Sequence, residues 1–316
     1  MKMSLFARAL YLIPVLLSTF GPPFCACFAQ GSLTPPGAPG PTMKTLDQVR
    51  PGVPMPATVG FLNITNPGCY YLVTNLITSG GITIATNDVT FDLNGFTVVC
   101  NFPNPAFLVS FSGGPYTNIV IRNGKIANSG SGAVSAQNTE YLMCENLLIT
   151  DCSANNSALT TGPRSRVRHC ALYNVKSGID SGVESVVEDC VVVNSAQSGI
   201  FVGTNSVVRR CLVSRCGYAG IQAVSSGLIA DNVVSACGFT NGGGAIQLTY
   251  SGTRVEGNQL TGNYSWLQAF GPTNFIFRNT SIGSGAPTFI GAQVIGPIIN
   301  TSGTVTNNNP WANFVF

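Results

Sequence analysis

Eight segments between Gly124 and Asn279 share one short pattern: an apolar residue, three positions later an Asn, Cys or Gly, and two positions beyond that another apolar residue. The middle positions are Gly124, Asn146, Cys170, Cys190, Cys211, Asn232, Asn258 and Asn279, in steps of 22, 24, 20, 21, 21, 26 and 21 residues. So short a period restricts a chain to stacked units, each too small to bury an apolar face unless its neighbours cover it.

The residues three before the middle are Ile121, Met143, Val167, Val187, Val208, Ile229, Val255 and Ile276; those two after it are Ile126, Leu148, Leu172, Val192, Val213, Val234, Leu260 and, as the one polar exception, Ser281. Side chains on a strand alternate with period two, so inward residues five apart require a bend between two short strands. A third strand is marked by Gly178-Ile179, Gly199-Ile200, Gly220-Ile221 and Ala245-Ile246, spaced 21, 21 and 25. Three short strands per turn give a triangular coil whose strands pair in parallel with their equivalents in the next turn, about 4.8 Å away. Helical repeats are excluded by the abundance of Val, Ile and Thr and the frequent Gly and Asn. The Leu-x-x-Leu-x-Leu frame of leucine-rich repeats is absent.

Stacking sets equivalent residues in columns. Asn232, Asn258 and Asn279 are expected to form an amide ladder, each donating and accepting along the column. Cys170, Cys190 and Cys211 are expected to stack likewise as reduced, buried side chains, with Cys216 and Cys237 as a second candidate pair.

The first 29 residues carry Lys2 and Arg8, the apolar run Ala9 to Leu17 and a small-residue stretch ending Cys27-Phe28-Ala29, which reads as a secretory signal. Export to a secreted, periplasmic or cell-surface location is expected, with no membrane span in the mature chain. Residues 30–58 hold seven prolines and read as an extended spacer, 59–284 as the coil, and 285–316 as a C-terminal capping segment in which Trp311, Phe314 and Phe316 fold over the last turn. Removing Lys2 and Arg8 leaves 13 basic against 12 acidic residues, a balance that argues against nucleic acid as partner. Nine of the 11 cysteines remain after Cys25 and Cys27 are cleaved away, so at least one thiol stays unpaired.

The segment Asn66-Pro67-Gly68-Cys69-Tyr70-Tyr71-Leu72, followed by Gly81-Ile82-Thr83-Ile84 and by Val89 to Val98, resembles the opening of secreted right-handed parallel β-helix proteins of the pectate-lyase-like superfamily. The stretch Thr42 to Val49 and the tail Asn309-Pro310-Trp311-Ala312-Asn313-Phe314 are similar to those of a bacterial group with this fold. The resemblance implies an all-β, single-stranded right-handed parallel β-helix with three short strands per turn and about ten turns. It implies no single activity, because the superfamily includes lyases, hydrolases, epimerases and adhesins.

Charge is densest from Arg164 to Arg215, where 11 of the 27 charged residues fall. Arg168, Glu188 and Arg209 lie two before the middle position; Glu145, His169, Asp189, Arg210 and Asp231 lie one before it. Alternating signs along a column are how a parallel stack keeps like charges apart, so this is a structural pattern rather than an active site. His169, the only histidine, reads as a surface partner of Glu145 or Asp189.

The strand carrying Gly-Ile is the better functional face. Its outward residues are Asp180, Phe201, Gln222 and Gln247, and two before the glycine stand Lys176, Gln197 and Tyr218. Aromatic rings interleaved with amides and one carboxylate suit a polysaccharide or cell-surface glycan. A non-catalytic glycan-binding or scaffold role is therefore expected. The alternative is a polysaccharide lyase or glycoside hydrolase, for which Lys176 as base and Asp180 are the candidate catalytic residues. Hydrolysis needs two carboxylates facing one bond, and Asp180 has none in its column. Ca²⁺ enters only under the lyase alternative, where Asp180 would be a lone ligand; no metal or other cofactor is otherwise expected.

Overall fold

A computed structural model describes residues 52–55, 58–100, 105–109, 115–152, 156–305 and 307–316. The leader and most of the spacer lie outside the described residues. Parallel pairing begins before residue 59, where Val53–Met55 runs beside Tyr70–Leu72.

The chain is a parallel β-solenoid. One sheet stacks 11 strands from Leu62–Ile64 through Ser177–Ser181 to Thr288–Phe289, and gives eleven turns. This is the Gly-Ile strand of the repeat and is called the third sheet. The other two strands of each turn merge into one bent 23-stranded sheet. In most turns they are separate, as in Arg166–Arg168 then Ala171–Val175; in two they run straight through the bend, as Ile119–Ala127 and Met143–Thr150. They are called the first and second sheets.

The bend is made by a left-handed residue just before the middle position: Asn123, His169, Asp189, Arg210, Asp231, Gly257 and Arg278 have φ between 51° and 67°. Here the structure corrects the register by one residue. Ile121 stacks on Cys144, not Met143, and Gly124 stacks on Leu147, not Asn146. Ile149, not Leu148, is the fully buried residue after the bend, and Leu148 is exposed. Asn146 has φ 53° and stands exposed in the left-handed position, where Asn is tolerated better than most residues. The slip arose because Asn serves two purposes at this bend: exposed in the left-handed turn, and buried in the ladder one residue later.

The ladder itself forms as expected and is longer. Asn232 Nδ2 donates to Asn258 Oδ1 at 3.0 Å, Asn258 Nδ2 to Asn279 Oδ1 at 2.9 Å, and Asn279 Nδ2 to Asn313 Oδ1 at 3.0 Å. Each Oδ1 also accepts the backbone N–H one rung above, from Cys211, Asn232, Asn258 and Asn279. The side chains are buried, so these bonds satisfy groups that water cannot reach. The fourth rung comes from the tail. Asn313–Val315 inserts between Thr280–Ile282 and Ile298–Asn300, and Ile298 stacks beneath Asn313. An isoleucine cannot extend an amide ladder, so the tail supplies the asparagine. Trp311 packs edge-on against Phe277 at 5.7 Å, and the Arg278 guanidinium lies over its ring. Cys170, Cys190 and Cys211 occupy the same column higher in the stack as buried free thiols, each directing Sγ to a backbone carbonyl.

Candidate functional site

Two surfaces carry most of the polar chemistry. The first is the charge-dense bend. Register correction moves Glu145 into the column of Arg168, so the sequence down that column is Asp92, Arg122, Glu145, Arg168, Glu188, Arg209. The signs alternate without a break. Arg209 meets Glu188 at 2.6 Å, Arg168 meets Glu145 at 2.5 Å, and Arg210 meets Asp189 at 2.8 Å. His169 lies 3.9 Å from Asp189, the second of its two expected partners. The Arg209 hydrogen bond holds the Glu188 carboxyl below the usual carboxylate range, and Arg210 does the same for Asp189. These groups pair with one another.

The second surface is the outer face of the third sheet. Pairing stacks Leu108, Ser135, Thr160, Asp180, Phe201, Gln222, Gln247, Gln268 and Thr288 in one outward column. Asp180, Phe201, Gln222 and Gln247 are thus aligned as expected. Lys176, Gln197 and Tyr218 form the neighbouring column, tied by Gln197 N–H to Lys176 O at 2.7 Å and Tyr218 N–H to Gln197 O at 3.3 Å.

A groove of about 440 Å³ opens over the N-terminal half of this face. Leu108, Ser135, Thr160 and Asp180 form its floor, and Gln137, Asn156, Ser157, Ser177 and Gln197 are among its sides. Hydroxyls and amides dominate, and Asp180 is the only ionisable side chain among the described lining residues. Burial pushes its carboxyl above the usual carboxylate range.

Of the residues singled out from sequence, Asp180 and Gln197 enter this groove. Phe201, Tyr218, Gln222 and Gln247 continue the same face toward the C-terminal end. Lys176 does not join them. It stands on the corner between the second and third sheets and lines a separate hollow of about 490 Å³ with Asn174, Val175, Asn194 and Ala196. Lys176 immediately precedes the strand Ser177–Ser181 that carries Asp180, and it lines this second hollow while Asp180 lines the groove. Gln247 is buried rather than open, its Nε2 donating to Tyr218 Oη at 2.8 Å. Leu108, Ser135, Thr160, Gln137 and Asn156 were not found from the sequence. Their turns begin the third strand with Ala106-Phe107, Ala133-Val134 and Ala158-Leu159 rather than Gly-Ile, so a small-then-apolar dipeptide is the signal that would have caught them.

Among the described residues no three His, Cys, Asp or Glu side chains cluster as a metal site, and no helix is long and apolar enough to cross a membrane.

The fold is that of a right-handed parallel β-helix, and residues 66–207 match the family model described as a right handed beta helix region. At the level of fold, the likeness to pectate-lyase-like coils holds. No curated protein matches the sequence. Among solved structures, the DFA-IIIase from Arthrobacter chlorophenolicus A6 in complex with GF2 is 14% identical, with a TM-score of 0.56 over 78% of this chain and 76% of its own. The same enzyme without its lid, again with GF2, is 12% identical, with a TM-score of 0.55 over 79% of each chain. The GH136 lacto-N-biosidase from Eubacterium ramulus is 10% identical, with a TM-score of 0.44 over 74% of this chain and 59% of its own. At these identities the likeness is one of fold.

Proposed function

We propose that this chain is an exported glycan-binding protein whose third-sheet groove holds a saccharide through hydroxyls, amides and the Asp180 carboxyl. The observation that carries the reading is the groove itself, a polar trough built from one outward column, with a single carboxyl at one end. Sugar hydroxyls both donate and accept, which Ser135, Thr160, Gln137, Asn156 and Gln197 match in kind. The apolar Leu108 offers a surface to a sugar ring. The DFA-IIIase of like fold is seen in complex with GF2, but at 14% identity it supplies no residue roles for this chain.

A second reading, hydrolysis, is favoured by one observation: a partly buried carboxyl kept protonated to higher pH than usual is suited to donate a proton to a leaving oxygen. Against it stands the lack of a second carboxylate among the described groove residues, since paired mechanisms need two acids roughly 5 to 9.5 Å apart. The lyase alternative, with Lys176 as base and Ca²⁺ as counter-charge, has less support, since Lys176 lines the second hollow and Asp180 the groove.

The test is incubation with a panel of acidic and neutral polysaccharides, scoring retention, reducing ends and unsaturated products. Retention without turnover, weakened about tenfold or more in the Asp180→Ala, Gln197→Ala double variant, is expected. Turnover that disappears in Asp180→Asn would install the hydrolytic reading. Retention indifferent to the double variant would remove the groove from the account.

A further inference from the structure

The period lengthens by four residues at one point on the third sheet, between Ile221 and Ile246, where 25 residues replace the usual 21. The extra chain, residues 238–244, turns at Gly238 and Gly242, with φ of 91° and 73°. It does not wave free of the coil. Gly242 O accepts from Gln268 Nε2 at 3.0 Å, and the Thr240 and Asn241 N–H groups bond Gly217 O at 3.1 and 3.0 Å. An insertion so firmly tied raises Phe239 into solvent, 64% exposed, where its ring meets that of Tyr264 edge-on at 6.4 Å. Tyr264 is itself 53% exposed. Two large rings held together in water forgo the burial that normally stabilises such side chains.

Tyr264 and Tyr218 both stand three residues before the inward residue of their turns, Leu267 and Ile221, so both belong to the corner column beside the face, with Gly243 between them. The rings of Tyr218, Phe239 and Tyr264 thus flank the row Gln222, Gln247, Gln268. Gln247 Nε2 bonds Tyr218 Oη at 2.8 Å and Gln268 Oε1 at 3.4 Å, while Gln247 Oε1, in a residue only 5% exposed, has no partner among the described residues. Gln247 Oε1 is thus a buried acceptor whose bonding capacity the chain itself does not meet.

We infer that Tyr218, Phe239 and Tyr264, with Gln222, Gln247 and Gln268, form a second saccharide subsite, specific for an uncharged sugar ring. The inference rests on the glycan-binding reading and extends it along the face. No residue among these six is charged at neutral pH, unlike the groove with Asp180. Gln247 is three rungs from Asp180, about 14 Å at the strand spacing, so the subsite lies beyond the reach of one monosaccharide seated in the groove.

Native gel electrophoresis in gels cast separately with inulin, laminarin, galactomannan, xyloglucan and dextran tests it. The full chain is expected to be retarded by at least one of these neutral polymers. The Phe239→Ala, Tyr264→Ala double variant should raise the dissociation constant at least about tenfold, while Asp180→Asn lowers retardation far less. Both rings are exposed, so an unchanged melting temperature should accompany the loss. Equal retardation of parent and double variant, or no retardation by any neutral polymer, overturns the inference. Retardation lost in Asp180→Asn but kept in the ring variant would leave the groove standing and sink this subsite alone.

Discussion

The charge-dense bend and the outer face of the third sheet are built from the same 21-residue repeat, yet they leave their polar groups in opposite conditions. At the bend Glu145, Glu188 and Asp189 each meet an arginine one rung away, and the buried amides of the ladder are bonded along their column. On the third sheet the Asp180 carboxyl has no ion-pair partner among the described residues, and Gln247 Oε1 has no donor. The bend holds far more charge, but its groups are already satisfied by the chain. Density of ionisable residues therefore marks structure here rather than the proposed ligand face.

The largest effect expected from breaking this contrast is at the ladder. Asn258→Ala removes the acceptor of Asn232 N–H and Nδ2 and the donor to Asn279, leaving buried groups unpaired. A loss of about 3 kcal/mol, read by denaturant unfolding, is expected, with glycan retention unchanged per folded molecule. Next is Glu188→Gln. Glu188 accepts from Arg209 and Arg210, whose side chains are nearly half exposed, so screening limits the cost to about 1 kcal/mol. Its pH signature is clearer than its size. The folded carboxyl titrates below the unfolded one, so the stabilisation is complete above the ordinary carboxylate range and fades as pH falls through the lowered folded value. The variant should lose stability at neutral pH and show a shallower acid limb.

Asp180→Asn should act in the reverse sense. Its folded carboxyl titrates above the unfolded one, so the ionised form is a penalty at neutral pH that disappears on acidification. Removing it should raise stability by less than about 1 kcal/mol while weakening retention. Smallest of all, His169→Ala should fall within about 0.5 kcal/mol of the parent and leave retention intact. A large loss of retention in His169→Ala would mean that the bend, not the third sheet, meets the ligand.

The coil was legible because its inward residues recur at a period that only stacking explains, and the third-sheet column was legible wherever Gly-Ile marked it. The groove floor was not, because Ala158-Leu159 and its equivalents carry no glycine, and the hollow depends on how the flanking corners rise. Lys176 and Asp180 stand four positions apart in the chain, and that they line two different hollows could not be read from their spacing. At the bend, Asn146 resembled a ladder residue by identity alone; only its φ of 53° separates the two kinds of asparagine.

Hydroxyl-radical footprinting with and without a retained polysaccharide tests the central claim most directly, since aromatic, sulfur and imidazole side chains report on both surfaces at once. Protection of Phe201 and Tyr218, with Met143, His169 and Tyr173 oxidised at unchanged rates, is the predicted result. Protection of His169 and its neighbours while Phe201 and Tyr218 stay fully reactive would contradict it.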